Sequence, residues 1–218
     1  MYRRAAIITL LLISAGAAGT AHAVGVTTYG NGLMSCQAYL DAREQQSADE
    51  VAFVDWLSGY ISGVNATASR TNNLLANPNL KDAVFWIGRY CRAHTINSFA
   101  AAAFALLMGA SASTETYAAE PMSYGIGFKT CAAYLDARQQ QNQDQMVFVD
   151  WLGGYLSGVN AISKGSTNVL GTSDITSAIF WLDNYCREHE PARFAAAVDA
   201  RVTAGIAAVA EATSPSKR

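Results

Sequence analysis

Residues 29–104 return as residues 124–199, at a constant offset of 95 positions and without a gap. Cys36-Gln-Ala-Tyr39-Leu40-Asp41-Ala-Arg43 reappears as Cys131-Ala-Ala-Tyr134-Leu135-Asp136-Ala-Arg138. Phe53-Val-Asp55-Trp56-Leu-Ser-Gly59-Tyr60-Ile-Ser62-Gly63-Val-Asn65 reappears as Phe148-Val-Asp150-Trp151-Leu-Gly-Gly154-Tyr155-Leu-Ser157-Gly158-Val-Asn160. The period is too long for one unit of a solenoid, and each copy has the size of a small domain. The duplication is also an internal comparison. A residue held in both copies serves the module, and one that differs has been released or retuned.

The four cysteines sit two per copy at matching positions, which leaves three pairings on paper. Duplication favours Cys36–Cys91 and Cys131–Cys186, because an ancestral single module had only one partner to offer; a cross-repeat pairing or free thiols are the alternatives. Each intra-module bridge closes a loop long enough to stabilise by about 4 kcal/mol in the chain-entropy description. For a module this small, whose core alone is marginal, that contribution decides whether it folds. The spacing does not match a CxxC redox motif or a zinc site.

Residues 1–23 read as a secretory signal. Arg3 and Arg4 precede an apolar stretch too short to span a bilayer comfortably, and Ala21-His22-Ala23 is a cleavage pattern. The expected location is therefore periplasmic or secreted, after cleavage near Ala23, with no stable membrane insertion of the mature chain. Removing Arg3 and Arg4 from the 15 basic residues leaves 13 against 17 acidic ones. A weakly acidic chain without a basic block is a poor match for nucleic acid. At 51% hydrophobic and 15% charged residues, the composition is that of a packed globular protein.

Within each copy the periodicity predicts four short helices, an all-α fold with modules at 29–108 and 124–210. Residues 109–123 read as a linker and 211–218 as a frayed tail. In the second helix Phe53, Trp56, Leu57, Tyr60, Ile61 and Val64 share one broad arc at helical spacing. Beside that arc runs a small-residue seam, Gly59, Gly63 and Ala66, repeated as Gly154, Gly158 and Ala161. Glycine inside a helix costs about 1 kcal/mol relative to alanine, so its retention in both copies predicts another helix crossing close to this backbone. Loops over 69–78 and 163–173 follow, and Asn79 and Asp174 are natural N-caps of the third helix. Leu80, Ala83, Val84, Ile87 and Cys91 form its inner face. Phe85 and Trp86 point away from it, yet return as Phe180 and Trp181. They either pack beneath the loop or the sister repeat, or present an aromatic patch to a protein partner.

The recurring polar set is Asp41/Asp136, Arg43/Arg138, Asp49/Asp144, Asp55/Asp150, Asn65/Asn160, Arg92/Arg187 and His94/His189. It contains no nucleophile elbow, HExxH helix, phosphate loop or EF-hand. Asp55 and Asp150 are expected in structural pairs, with Arg92 as Asp55's partner or with nearby backbone. His94 and His189 are expected at a helix C-terminus, where the dipole favours a cation. No cofactor and no metal site follow from such a set. An enzyme using Asp55/Asp150 or His94/His189 is the alternative from a different class.

Cys36-x-x-Tyr39-Leu40, Trp56-Leu-x-Gly59-Tyr60-x-x-Gly63, Tyr90-Cys91 and Phe99, with their second-copy counterparts, resemble the HdeA/HdeB-like group in order and spacing. Those are small exported four-helix proteins with a disulfide joining the first and third helices. The Gly-Tyr-x-x-Gly helix is also similar to that of type VI secretion immunity proteins of the Rap/Tai group, in which a Cys commonly stands near the place of Trp56. This chain departs from both in being tandem, and it carries less charge than the acid-stress chaperones. The expectation is an exported, non-enzymatic protein that binds another protein, either a secreted toxin as an immunity-type binder or an unfolding client as a periplasmic chaperone. The candidate contact residues are Phe85, Trp86, Phe180 and Trp181.

Overall fold

The computed structural model describes residues 25–68, 73, 75, 79–110, 122–141, 143–163 and 168–213. The expected signal peptide, most of the linker, the end of the tail and much of the two long loops lie outside them. The described residues are helical, with two isolated bridges as their only β-type pairing. The first module has α1 (Cys36–Glu44), α2 (Ala48–Thr67), α3 (Leu80–Ala93) and α4 (Phe99–Ala110). The second has α5 (Cys131–Gln140), α6 (Gln143–Ile162), α7 (Ile175–Glu188) and α8 (Phe194–Thr213).

Side-chain caps start the helices where short polar residues precede the apolar stripes. Ser35 and Thr130 accept the backbone N–H of Ala38 and Ala133 at 3.1 and 3.2 Å. Asn79 and Asp174 cap α3 and α7 in the same way, accepting from Lys81 and Ser177. The disulfides are Cys36–Cys91 and Cys131–Cys186, each spanning 55 residues and joining the first helix of a module to its third. Backbone bonds from Cys36 to Asn97 and from Phe99 to Met34, repeated at Cys131 and Phe194, fix the fourth helix against the start of the first. Tyr39, Phe53, Trp56 and Phe99 then meet edge-on or tilted at ring separations of 4.8–5.6 Å, a cluster repeated around Phe194.

The helix that crosses the glycine seam is the seam's own copy. A Cβ on Gly59 would stand 2.0 Å from the Trp151 carbonyl oxygen, and one on Gly154 would stand 1.9 Å from that of Trp56. Gly63 and Gly158 meet the Tyr155 and Tyr60 carbonyls in the same reciprocal manner, each at 2.2 Å. Because contacts advance together along both helices, α2 and α6 run parallel. They are related as the two sides of an isologous interface. Residues 56–65 and 151–160 are thus buried all round rather than on one arc.

Each module also lends a strap to the other. Tyr29 donates its N–H to Ser157 Oγ at 2.9 Å and its hydroxyl to Asn168 at 2.7 Å, while Asn160 Nδ2 donates to the Thr27 carbonyl. The Tyr29 carbonyl accepts from Trp56 Nε1 of its own module at 2.7 Å. The image of this network links Tyr124 to Ser62, Asn73 and Trp151, and Asn65 to the Met122 carbonyl. Tyr124 lies in the first module's core, and Tyr29 packs on the second's. After each strap a short 3-10 turn, Gly30–Leu33 or Gly125–Phe128, wraps the indole. Gly30 and Gly125 open these turns at φ of 58° and 61°, a left-handed conformation that favours glycine. The recurring Ser62/Ser157 and Asn65/Asn160 are therefore fasteners between modules.

Candidate partner-binding site

The outer surface of α3 and α7 carries the aromatics that the inner stripe does not use. The four expected contact residues divide into two kinds. Phe85 and Phe180 stand out at 59% and 69% exposure, far above what a packed phenylalanine shows. Trp86 and Trp181 are half-buried against the core of their own modules. Each indole stacks on a tyrosine one turn later, Trp86 on Tyr90 at 5.5 Å and Trp181 on Tyr185 at 5.0 Å. The ladders end on His94 and His189, at 4.4 and 4.0 Å from those tyrosines. Spacing of four residues places all three rings of a ladder on one face of the helix. Each module thus offers a rigid aromatic strip flanked by one bare phenylalanine.

Of the recurring charged residues, the histidines stand at the helix C-termini as expected. Asp55 does not take its expected partner, Arg92. It stands near the N-terminal end of the α2–α6 crossing, facing Asp150 across the interface. Burial pushes each carboxyl from 3.8 up to about 6, and the Asp150 charge adds to the shift at Asp55. Asp150 accepts from Asn31 Nδ2 at 3.1 Å, whereas Asp55 Oδ2 is buried with no hydrogen-bond partner among the described residues. Ile126 occupies the position equivalent to Asn31 and has no amide to offer. His94 and His189 cap α3 and α7, where His189 Nδ1 lies 2.8 Å from the Tyr185 carbonyl. The carboxylates belong to the module interface and the histidines to the outer ladders, so these two sets are not brought together.

One ion pair escaped the reading of recurring residues because half of it does not recur. Asp183 on α7 accepts from Arg138 Nε and Nη2 at 3.0 and 2.8 Å and from the Tyr134 hydroxyl at 2.6 Å. Although burial works in the opposite direction, these donors and the Arg187 charge hold its carboxyl below the ordinary value. The stabilisation is therefore lost as pH falls through the lowered pKa. We expect Asp183→Asn to lower the stability of the protein by about 1–2 kcal/mol at pH 7. A denaturant titration at pH 7 checks this.

Among the described residues, no helix is long and apolar enough to cross a membrane, and no group of three or more metal-ligating acids, histidines or cysteines assembles. Comparison with protein-family models, with curated proteins and with solved structures finds no match for this chain.

Proposed function

We propose that the chain is an exported, non-enzymatic binding protein that engages another protein through the outer faces of α3 and α7. The observation that carries this reading is the pair Phe85 and Phe180, held at equivalent positions in both modules and left exposed in both. Aromatic residues are enriched at protein interfaces, where anchors of this kind concentrate binding energy. Two disulfides fit the oxidising compartment that the basic, apolar start of the chain points to. The immunity-type role, with one specific partner, is preferred to an acid-stress chaperone. Down to about pH 5, acidification neutralises the Asp55 and Asp150 charges and so tightens the module interface, and the loosening expected near pH 3 is restrained by the two disulfides.

The test is affinity for partners that co-purify from periplasm and are identified by mass. Phe85→Ser combined with Phe180→Ser is expected to weaken partner binding by at least tenfold while leaving the melting temperature within about 2 °C of the parent, because exposed side chains contribute little to folding. Unchanged affinity in the double variant would reject the aromatic site. Sequence-indifferent protection of aggregating clients at pH 3, with no specific partner at pH 7, would favour the chaperone.

A further inference from the structure

We propose that the groove between α1 and α3 of the first module binds a carboxylate side chain of a protein partner through Arg43 and Arg92, beside Gly88. The second module displays the occupied form of the same site. There Asp183 is clasped by Tyr134 and by two nitrogens of Arg138, with the Arg187 charge acting on it as well. Three of these four positions are identical in the first module, as Tyr39, Arg43 and Arg92. The fourth is Gly88 in place of Asp183. The first module has the receptor for a carboxylate without the built-in carboxylate.

The geometry around Gly88 matches that description. A Cβ there would lie 2.7 Å from Arg43 Nη1 and 3.9 Å from Arg92 Nη1, so both guanidinium groups lean over the glycine. Arg43 Nη1 donates to the Tyr39 hydroxyl at 3.0 Å. Its one ionic contact among the described residues is Glu50 at 3.9 Å, between side chains about one-third exposed, a weak arrangement compared with the bidentate pair in the second module. An open groove of about 480 Å³ lies in front, lined by Gln37, Leu40, Asp41, Arg43, Glu44 and Arg92. Asp41 is engaged by Gln37 Nε2 at 2.7 Å. Asp41 and Glu44 oppose a polyanion such as nucleic acid, whereas a single carboxylate can approach the guanidinium groups edge-on.

The source of the carboxylate follows from the neighbouring helix surface. Phe85, Arg89 and Arg92 are spaced four and three residues apart and are all exposed, forming one stripe along α3. The corresponding stripe of α7 is Phe180, Asn184 and Arg187, with one cation fewer. An acidic residue flanked by apolar ones is complementary to the first-module stripe. This deepens the partner-binding reading and rests on it for the source of the carboxylate alone.

The experiment follows the side-chain Nε–H signals of the arginines by nuclear magnetic resonance at pH 7 and constant ionic strength. The probes are acetate and an N-acetylated Leu-Glu-Leu amide. With the peptide, Arg43 and Arg92 are expected to shift saturably, at least tenfold more tightly than with acetate. Gly88→Asp fills the site as Asp183 fills its own and should weaken the peptide at least tenfold. It is sterically tolerable, because the contact to be moved is the far end of a flexible arginine. Asp183→Gly should create saturable shifts at Arg138 and Arg187. Non-saturable shifts, or equal affinities in the parent and Gly88→Asp, would overturn the site. Equal affinities for acetate and peptide would overturn its assignment to a protein side chain. Partner affinity at Phe85 and Phe180 is read separately, so either proposal can fail alone.

Discussion

Gly63→Ala is expected to unfold both modules in a single transition shifted downward by more than about 3 kcal/mol, although only one methyl group is added. The new Cβ would sit 2.2 Å from the Tyr155 carbonyl oxygen, and the obstructing atoms are backbone of α6. No side chain can rotate away, so the two buried helices must separate, and overpacking of this kind commonly costs 1–3 kcal/mol even where neighbours can adjust. Separation would also strain the straps, which hold Trp56 and Trp151 through their indole N–H groups. Both indoles should therefore report the same midpoint by fluorescence. Gly109→Leu is the control: nothing lies within 4 Å of the added Cβ, and its midpoint should match the parent's. Two separate transitions for Gly63→Ala, or equal midpoints for the two variants, would refute the close crossing.

The protein should become more stable as pH is lowered from 7.5 to about 5, then lose stability below about 4. Asp55 and Asp150 have folded pKa values of about 6 against an ordinary 3.8, so the folded state binds protons that the unfolded chain does not. Their stabilising contribution is fully present below 3.8 and is lost as pH rises through 6. A shift of this size corresponds to about 3 kcal/mol for a fully desolvated group, and partial exposure reduces it to about 1–2 kcal/mol for each carboxyl. Asp183 acts with the opposite sign, since its lowered pKa supports the fold only while it remains ionised. Denaturant midpoints across this pH range should form a maximum on the acidic side of neutrality. Asp55→Asn with Asp150→Asn should raise the midpoint at pH 7.5 and flatten the slope between pH 7.5 and 5. A monotonic loss of stability from pH 7.5 downward in the parent would refute the facing pair.

The repeat, the all-helical class, the disulfide partners and the N-caps were legible in the residues because each depends on local spacing or on copy number. Gly59 and Gly63 also announced a close helix crossing. What they could not announce was which helix crosses there, since both copies carry the same seam and pairing is a property of three-dimensional arrangement. The same limit explains Asp55. Its neighbour is its own image, and a rule that seeks an opposite charge points to Arg92 instead. Ser62 and Asn65 recur in both copies, but their strap partners, the Tyr124 N–H and the Met122 carbonyl, lie about 60 residues away, beyond the reach of any local pattern. At the outer surface, periodicity separated Phe85 and Trp86 from the inner stripe. Only side-chain packing divided them, leaving the phenylalanine bare and laying the indole on Tyr90.

The parallel α2–α6 crossing has a consequence for how such a molecule can change. If its two halves were identical separate chains, every substitution would appear twice, once on each side of the axis, and no side could acquire a property alone. Joining the halves in one chain removes that constraint. Gly88 opposite Asp183, and Phe104 opposite Asp199, are differences that a pair of identical halves could never hold. In the second half Tyr155 has Asp199 as a hydrogen-bond acceptor at 3.3 Å, while in the first the Tyr60 hydroxyl is buried without a partner among the described residues. The second half neutralises two buried or half-buried groups with its own acids where its twin has Gly88 and Phe104, giving a symmetric frame with a front and a back.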